Sequence, residues 1–170
     1  MSESALPLPL VLIGPMGAGK TKIGRRVARS LEVPFIDTDK RIVADHGPIT
    51  EIFAERGEPA FRELERVAVT AALAEPAVVS LGGGAVLHPD TQRDLTGRTV
   101  VLLTVTGEAV ATRIRTDKRP LLKNGTGDWQ RIYDERRPIY DRLATISFDT
   151  SSEPIERIAE RIADWARGHA

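Results

Sequence analysis

The chain has 170 residues, 41% of them hydrophobic and 28% charged, and a formal net charge of zero. That length fits one domain able to hide roughly 70% of the surface its unfolded chain exposes, and the charge balance argues against a nucleic-acid tail or an anionic membrane as partner. There is no cysteine, which excludes disulfides, zinc–thiolate sites and cysteine nucleophiles.

The first apolar stretch, Leu6 to Ile13, is interrupted by two prolines, follows Glu3 and lacks a positive flank. It reads as a buried strand and not as a signal peptide. No run approaches the length of a membrane-spanning helix, so a cytoplasmic location is expected. Further strand-length apolar runs follow at Pro34 to Ile36, Ala77 to Leu81, Thr99 to Val105 and Thr145 to Phe148. They are almost continuously hydrophobic, as strands buried on both faces are. Helical spacing separates them. Ile23, Val27 and Leu31 recur within Lys20 to Leu31. Phe61, Leu64, Ala68 and Ala72 form a second stripe, and Ile155, Ile158, Ile162 and Trp165 a third behind Glu153-Pro154. Strands alternating with helices predict a three-layer α/β domain with a parallel sheet and right-handed connections.

Between the first strand and the first helix stands "GPMGAGKT", Gly14 to Thr21. It fits G-x-x-x-x-G-K-[ST] in the strand–loop–helix setting that pattern requires. Glycines let backbone N–H groups turn inward around phosphate oxygens, and the helix N-terminus adds its positive dipole end. The predicted ATP contacts are Gly14, Met16, Gly17, Ala18, Gly19, Lys20 and Thr21. Lys20 is placed on the β- and γ-phosphates, and Thr21 is placed on Mg²⁺. No Asn-Lys-x-Asp guanine motif exists. The GTPase-like string "DLTG" at Asp94 to Gly97 precedes a strand instead of ending one. The size suits a small-molecule kinase.

The second strand runs into "FIDTDK", which puts Asp37 and Asp39 at the carboxyl end of a parallel strand, where ligands bind in open α/β sheets. Either the pair shares a cation and an acceptor hydroxyl, or it is a polar turn with Asp39 capping the next helix. Arg62, in "AFRELE", lies on a predicted helix and taken alone reads as a solvated surface arginine sooner than as a site residue. Arg136, in "ERRPIY", lies ahead of a proline that should end its helix, where it would serve the C-terminal dipole or a ligand. The basic, glycine-bearing segment from Arg113 to Trp129 is an exposed loop or a lid that brings cations onto phosphates.

In order along the chain, "GPMGAGKT", "FIDTD", "FRELE", "SLGGG", "RPLL" and "RRPIY" resemble the motifs of shikimate kinase, and the resemblance covers nearly the whole chain. It implies a P-loop kinase with a five-stranded parallel sheet of order 2-3-1-4-5, a substrate-binding subdomain near residues 38–65 and a mobile lid near 113–127. It implies transfer of the γ-phosphoryl of ATP to the 3-hydroxyl of shikimate, in the aromatic amino-acid pathway, with Mg²⁺ as cofactor. Asp39 matches the aspartate on the acceptor hydroxyls and Asp37 the one near Mg²⁺. Arg62 and Arg136 match the pair that clamps the shikimate carboxylate, Arg119 the lid arginine on the transferring phosphate, and Arg113 the arginine near adenine. Asp39, Lys20 and Arg119 thus form the expected catalytic set, and Thr21 and Asp37 the metal set. Ala18 stands where family loops often carry serine, which leaves the backbone nest intact.

The second glycine run, "SLGGG", sits at a strand end where many P-loop proteins keep a Walker B aspartate. This chain has Ser80 there. Gly82, Gly83 and Gly84 are expected to let the backbone approach the acceptor ring and donate N–H bonds; otherwise they form a tight turn. A polyol kinase need not carry the arginine clamp or the triple glycine, a nucleoside monophosphate kinase needs a base pocket, and a regulatory module that has lost catalysis would not need Lys20, Asp39 and Arg119. A monomer is expected, with ATP and shikimate as its partners and no nucleic acid or membrane.

Overall fold

The strand Leu10–Ile13 (β1) is fully buried, because its four residues, LVLI, leave no polar side to show to water. Around it, in a computed structural model that describes residues 5–113 and 126–169, lie Phe35–Asp37 (β2), Val78–Ser80 (β3), Thr99–Thr104 (β4) and Ile146–Asp149 (β5). All neighbours pair in parallel, in the order β2-β3-β1-β4-β5. This is the five-stranded 2-3-1-4-5 sheet expected from the resemblance. The expected strands are all present: β1 begins only at Leu10, β3 and β4 lose a residue at their ends, and β2 and β5 each start one residue later than the apolar run and reach one further, to Asp37 and Asp149.

Helices Lys20–Leu31 (α1) and Ile155–Gly168 (α7) pack together on one face. Thr38–His46 (α2), Ile49–Leu73 (α3), Pro89–Leu95 (α4), Gly107–Arg113 (α5) and Thr126–Leu143 (α6) complete the described helices, with a 3₁₀ turn at Ala85–Leu87. Right-handed crossovers place α3, α4 and α6 on the opposite face from α1. The main core joins the sheet to α1, the end of α3, α6 and α7. A second apolar cluster stands apart: Ile42 of α2 with Ile52 and Phe61 of α3, backed by Phe53 and Leu64.

A glycine and two prolines shape two of these helices. The stretch Ile49–Leu73 is broken at Gly57, whose φ of 84° is left-handed, and Pro59 then opens the second segment, where a missing N–H costs nothing. The break turns the second half of α3 so that Arg62 and Glu65 face the end of the sheet. In α6 the helix continues through Pro138 to Leu143, so Arg136 is interior and not at a helix end. A proline inside a helix costs about 3 kcal/mol, but Trp129 and Tyr133 before it and Tyr140 after it are all buried. Burying side chains of that size outweighs the lost bond.

Candidate active site

Gly14 ends β1 with φ of 144°, and a Cβ there would overlap the carbonyl oxygen of Leu103, so both conformation and space demand glycine. The loop climbs to Gly19, φ 92°, and α1 begins without a side-chain cap or an acidic residue in its first turn. Its first N–H groups and its dipole are therefore left to an anion. The ammonium of Lys20 donates to the carbonyls of Gly14 at 2.6 Å and Pro15 at 3.0 Å, which folds it over the loop. Arg113 donates to Gly17 O and to Thr150 O, each at 2.7 Å, tying the loop to the turn after β5. Together these groups line a cleft of about 330 Å³. Of the predicted ATP contacts, Met16, Gly17, Ala18, Gly19, Lys20, Thr21 and Arg113 all line it, and Gly14 underlies it. Arg119, and residues 114–125 of the expected lid, lie outside the described residues.

Asp37 leaves β2 in an extended conformation and accepts from the backbone N–H of Lys40 at 3.2 Å. The helix cap is thus Asp37 and not Asp39. A capping residue must be non-helical, and Asp39 already stands in the first turn of α2. The other oxygen of Asp37 accepts from the hydroxyl of Thr21 at 2.8 Å. The two residues expected around Mg²⁺ therefore meet at the mouth of the cleft, as a hydroxyl and a carboxylate suited to a hard cation. No group of three metal-binding side chains exists among the described residues. That fits an ion held by one or two protein oxygens and shared with nucleotide phosphates.

A second pocket, of about 340 Å³, adjoins the first. Met16, Asp39, Gly82 and Gly83 line both, so Asp39 stands where the two clefts open into each other. Arg62 and Arg136 line the second pocket. Arg62 is no solvated helix arginine: it donates to Glu65 at 2.8 Å and to Glu58 at 3.3 Å and lies over the ring of Phe61. Burial works against its charge, yet Glu65 and Glu58 hold its pKa above the ordinary arginine value. Arg136 is 7% exposed, and among the described residues no carboxylate lies within ion-pair distance of it. A buried guanidinium in that position favours an anionic ligand.

The triple glycine earns its place through side-chain room. A Cβ at position 82 would stand 2.7 Å from Asp39 Oδ1 and 3.0 Å from Glu65 Oε2, and one at position 84 would overlap the guanidinium of Arg62. At position 83 the nearest neighbour would be Arg136 Nη1, at 3.4 Å. Bare backbone is what lets two carboxylates and two guanidiniums converge on one loop.

Three residues of the site escape motif reading. Glu65 is 3% exposed, and burial pushes its pKa to about 7, against the pull of Arg62's charge and hydrogen bond, while Asp39 pushes it further up. Its signal was present in "FRELE", an acid one turn beyond Arg62. The indole N–H of Trp129 donates to Met16 O at 2.7 Å, and Tyr140 donates to Gly83 O at 2.5 Å. Both contacts join α6 to loops more than fifty residues away, which no local pattern encodes.

The shikimate kinase family model matches residues 16–167. A shikimate kinase of Thermobifida fusca is 47% identical over 164 residues, covering 94% of this chain and 95% of that protein. One of Saccharopolyspora erythraea is 44% identical, over 93% of this chain and 96% of the relative. Among solved structures, the shikimate kinase from Acinetobacter baumannii in complex with shikimate superposes with a TM-score of 0.89 at 32% identity, over 94% of this chain and 93% of that one. That of Bacteroides thetaiotaomicron gives 0.82 at 33% identity, over 92% and 96%. A phosphate loop and a doubly basic pocket that meet at one aspartate, on a chain nearly half identical to such relatives along almost its full length, place this protein in the shikimate kinase family.

Proposed function

We propose that the protein transfers the γ-phosphoryl group of ATP to the 3-hydroxyl of shikimate, giving shikimate 3-phosphate and ADP, a step of the aromatic amino-acid pathway. The observation that carries this reading is the meeting of the two clefts at Asp39, one built for phosphate and the other closed by Arg62 and Arg136. The nucleotide enters along Gly14 to Thr21, with Lys20 leaving its loop carbonyls for the phosphates and Arg113 beside the adenine. Thr21 and Asp37 would hold Mg²⁺, which would supply neutralisation of the phosphate charge. Arg62 and Arg136 bind the acceptor carboxylate, two planar forks for one planar anion. Gly82, Gly83 and Gly84 bring backbone N–H groups to the ring, and Asp39 orients the attacking hydroxyl and takes its proton. Phosphoryl transfer has a loose transition state, so alignment and charge neutralisation do most of the work. Arg119 joins this set through the family resemblance.

Residues 38–65 serve as the acceptor-binding subdomain, supported by their separate apolar cluster. The enzyme works as a monomer in the cytoplasm, where ATP is supplied. Among the described residues no helix is long and apolar enough to cross a membrane. The test is an ADP-release assay with Mg²⁺, ATP and a panel of shikimate, gluconate and nucleoside monophosphates. Turnover is expected with shikimate and lost in Lys20→Met. Faster turnover of another acceptor, or full activity in Lys20→Met, refutes the proposal.

A further inference from the structure

We propose that Tyr140 is a positioning residue for the acceptor pocket, holding the carbonyl of Gly83 on its hydroxyl beside the guanidinium of Arg136, a step that rests on the acceptor reading above. Tyr140 lies one helical turn beyond Arg136 on α6, so the two side chains share a face. Its ring is fully buried and leans on Tyr133, with ring centroids 6.3 Å apart. The hydroxyl donates to Gly83 O at 2.5 Å, and the charge of Arg136 is near enough to pull on its pKa. A phenol has one proton to give and lone pairs to receive, whereas a guanidinium only gives. The proton therefore goes to the carbonyl, and the lone pairs stay turned from it, compatible with a neighbouring guanidinium. Burial, only partly opposed by Arg136, pushes the phenol's pKa up to about 12, so the donor persists at any working pH.

The contact has directional consequences. In a trans peptide the carbonyl and the following N–H point opposite ways, so fixing Gly83 O fixes the direction of the Gly84 N–H. Glycines have no side chain to settle their own conformation and lose the most backbone entropy on ordering. The loop must therefore be held from outside, and Tyr140 is the side chain that reaches it from α6. Arg136 stands at the same loop, its Nη1 3.4 Å from where a Gly83 Cβ would stand. A phenylalanine would fill the same ring volume, so packing alone does not call for the oxygen.

The test is Tyr140→Phe in the full chain, by steady-state kinetics and calorimetry. Removing the hydrogen bond and leaving the Gly83 carbonyl without its partner is expected to raise the Kd and KM for shikimate roughly ten- to thirtyfold. The KM for ATP and the Kd for Mg·ADP should stay within about twofold of wild type, because Tyr140 touches neither phosphate nor base. Combined with Arg136→Lys, the loss should be less than the product of the single losses, as one network predicts. Unchanged shikimate affinity overturns the proposal, as does a uniform loss for both substrates that follows a lowered Tm. Should Tyr140→Phe not fold, wild type labelled with 3-fluorotyrosine decides. The chain has two tyrosines, and Tyr133→Phe assigns their ¹⁹F signals. The Tyr140 signal should move with shikimate and hold still with ADP; no movement at saturating shikimate overturns the proposal. Wild type that fails to bind shikimate at all refutes the acceptor reading and this inference with it, whereas wild-type binding matched by Tyr140→Phe refutes the inference alone.

Discussion

Glu65→Gln removes a buried titration while keeping the side chain's shape. In the folded protein the Glu65 carboxyl is raised from its ordinary 4.5 to about 7, chiefly by burial, with Arg62 opposing and Asp39 adding to the rise. The folded state therefore holds this proton more tightly than the unfolded chain between those two values. Its contribution to stability is greatest below the lower value and is lost as pH rises through the upper one. For a single site with these constants, the loss between about pH 5.5 and about pH 8 comes to about 2 kcal/mol. The assay is urea unfolding of wild type and Glu65→Gln at both pH values without ligands. Wild type should lose about 2 kcal/mol more than the variant across that interval. Equal pH dependence of the two proteins would refute the argument, because it would mean that Glu65 is already ionised at the lower pH and that Arg62 compensates its burial in full.

Arg136→Lys keeps the charge and loses the fork, so shikimate binding should weaken by about 1.5–3 kcal/mol with ATP binding unchanged; calorimetry that finds the opposite pattern moves the clamp elsewhere. Asp37→Asn should raise the Mg²⁺ concentration needed for half-maximal kcat, since Asp37 meets Thr21 at 2.8 Å. Asp39→Asn should cripple transfer with the Mg²⁺ requirement kept, and a Mg²⁺ titration showing the reverse exchanges the two roles. Gly84→Val puts a side chain where the Arg62 guanidinium lies, so shikimate affinity should fall while ADP affinity holds; unaltered shikimate affinity removes the steric account of the triple glycine.

The sheet was legible because buried parallel strands write themselves as short unbroken apolar runs, and the phosphate loop because its glycines, lysine and threonine act through fixed spacing along one turn. Site residues that act across the chain were legible only through the resemblance. Arg62 and Arg136 are unremarkable arginines until α3 and α6 bring both to the second pocket. Pro138 misled, because its local cost is visible in the sequence and the burial of Trp129, Tyr133 and Tyr140 that offsets it is not. Gly57 was equally silent: its left-handed φ of 84° redirects α3, and the helical stripe that begins at Phe61 gives no sign of the turn before it. Both aspartates were legible at the carboxyl end of β2, but which of them caps α2 depends on the residue at which β2 lets go of β3, a matter of one position.

The small cluster of Ile42, Ile52 and Phe61 divides the molecule into halves with different tolerance for change. The phosphate loop grows directly from β1, whose side chains lie at the centre of the main core, so a substitution beneath it disturbs the whole fold. The α2–α3 wall of the second pocket rests instead on a few side chains of its own, whose opening requires far less free energy than global unfolding. Variation there reshapes which acceptor is admitted while leaving phosphate handling intact. A search for new acceptor specificities would start at Val43, Ile49 and Phe53 on that wall, away from the strand that carries the phosphate loop.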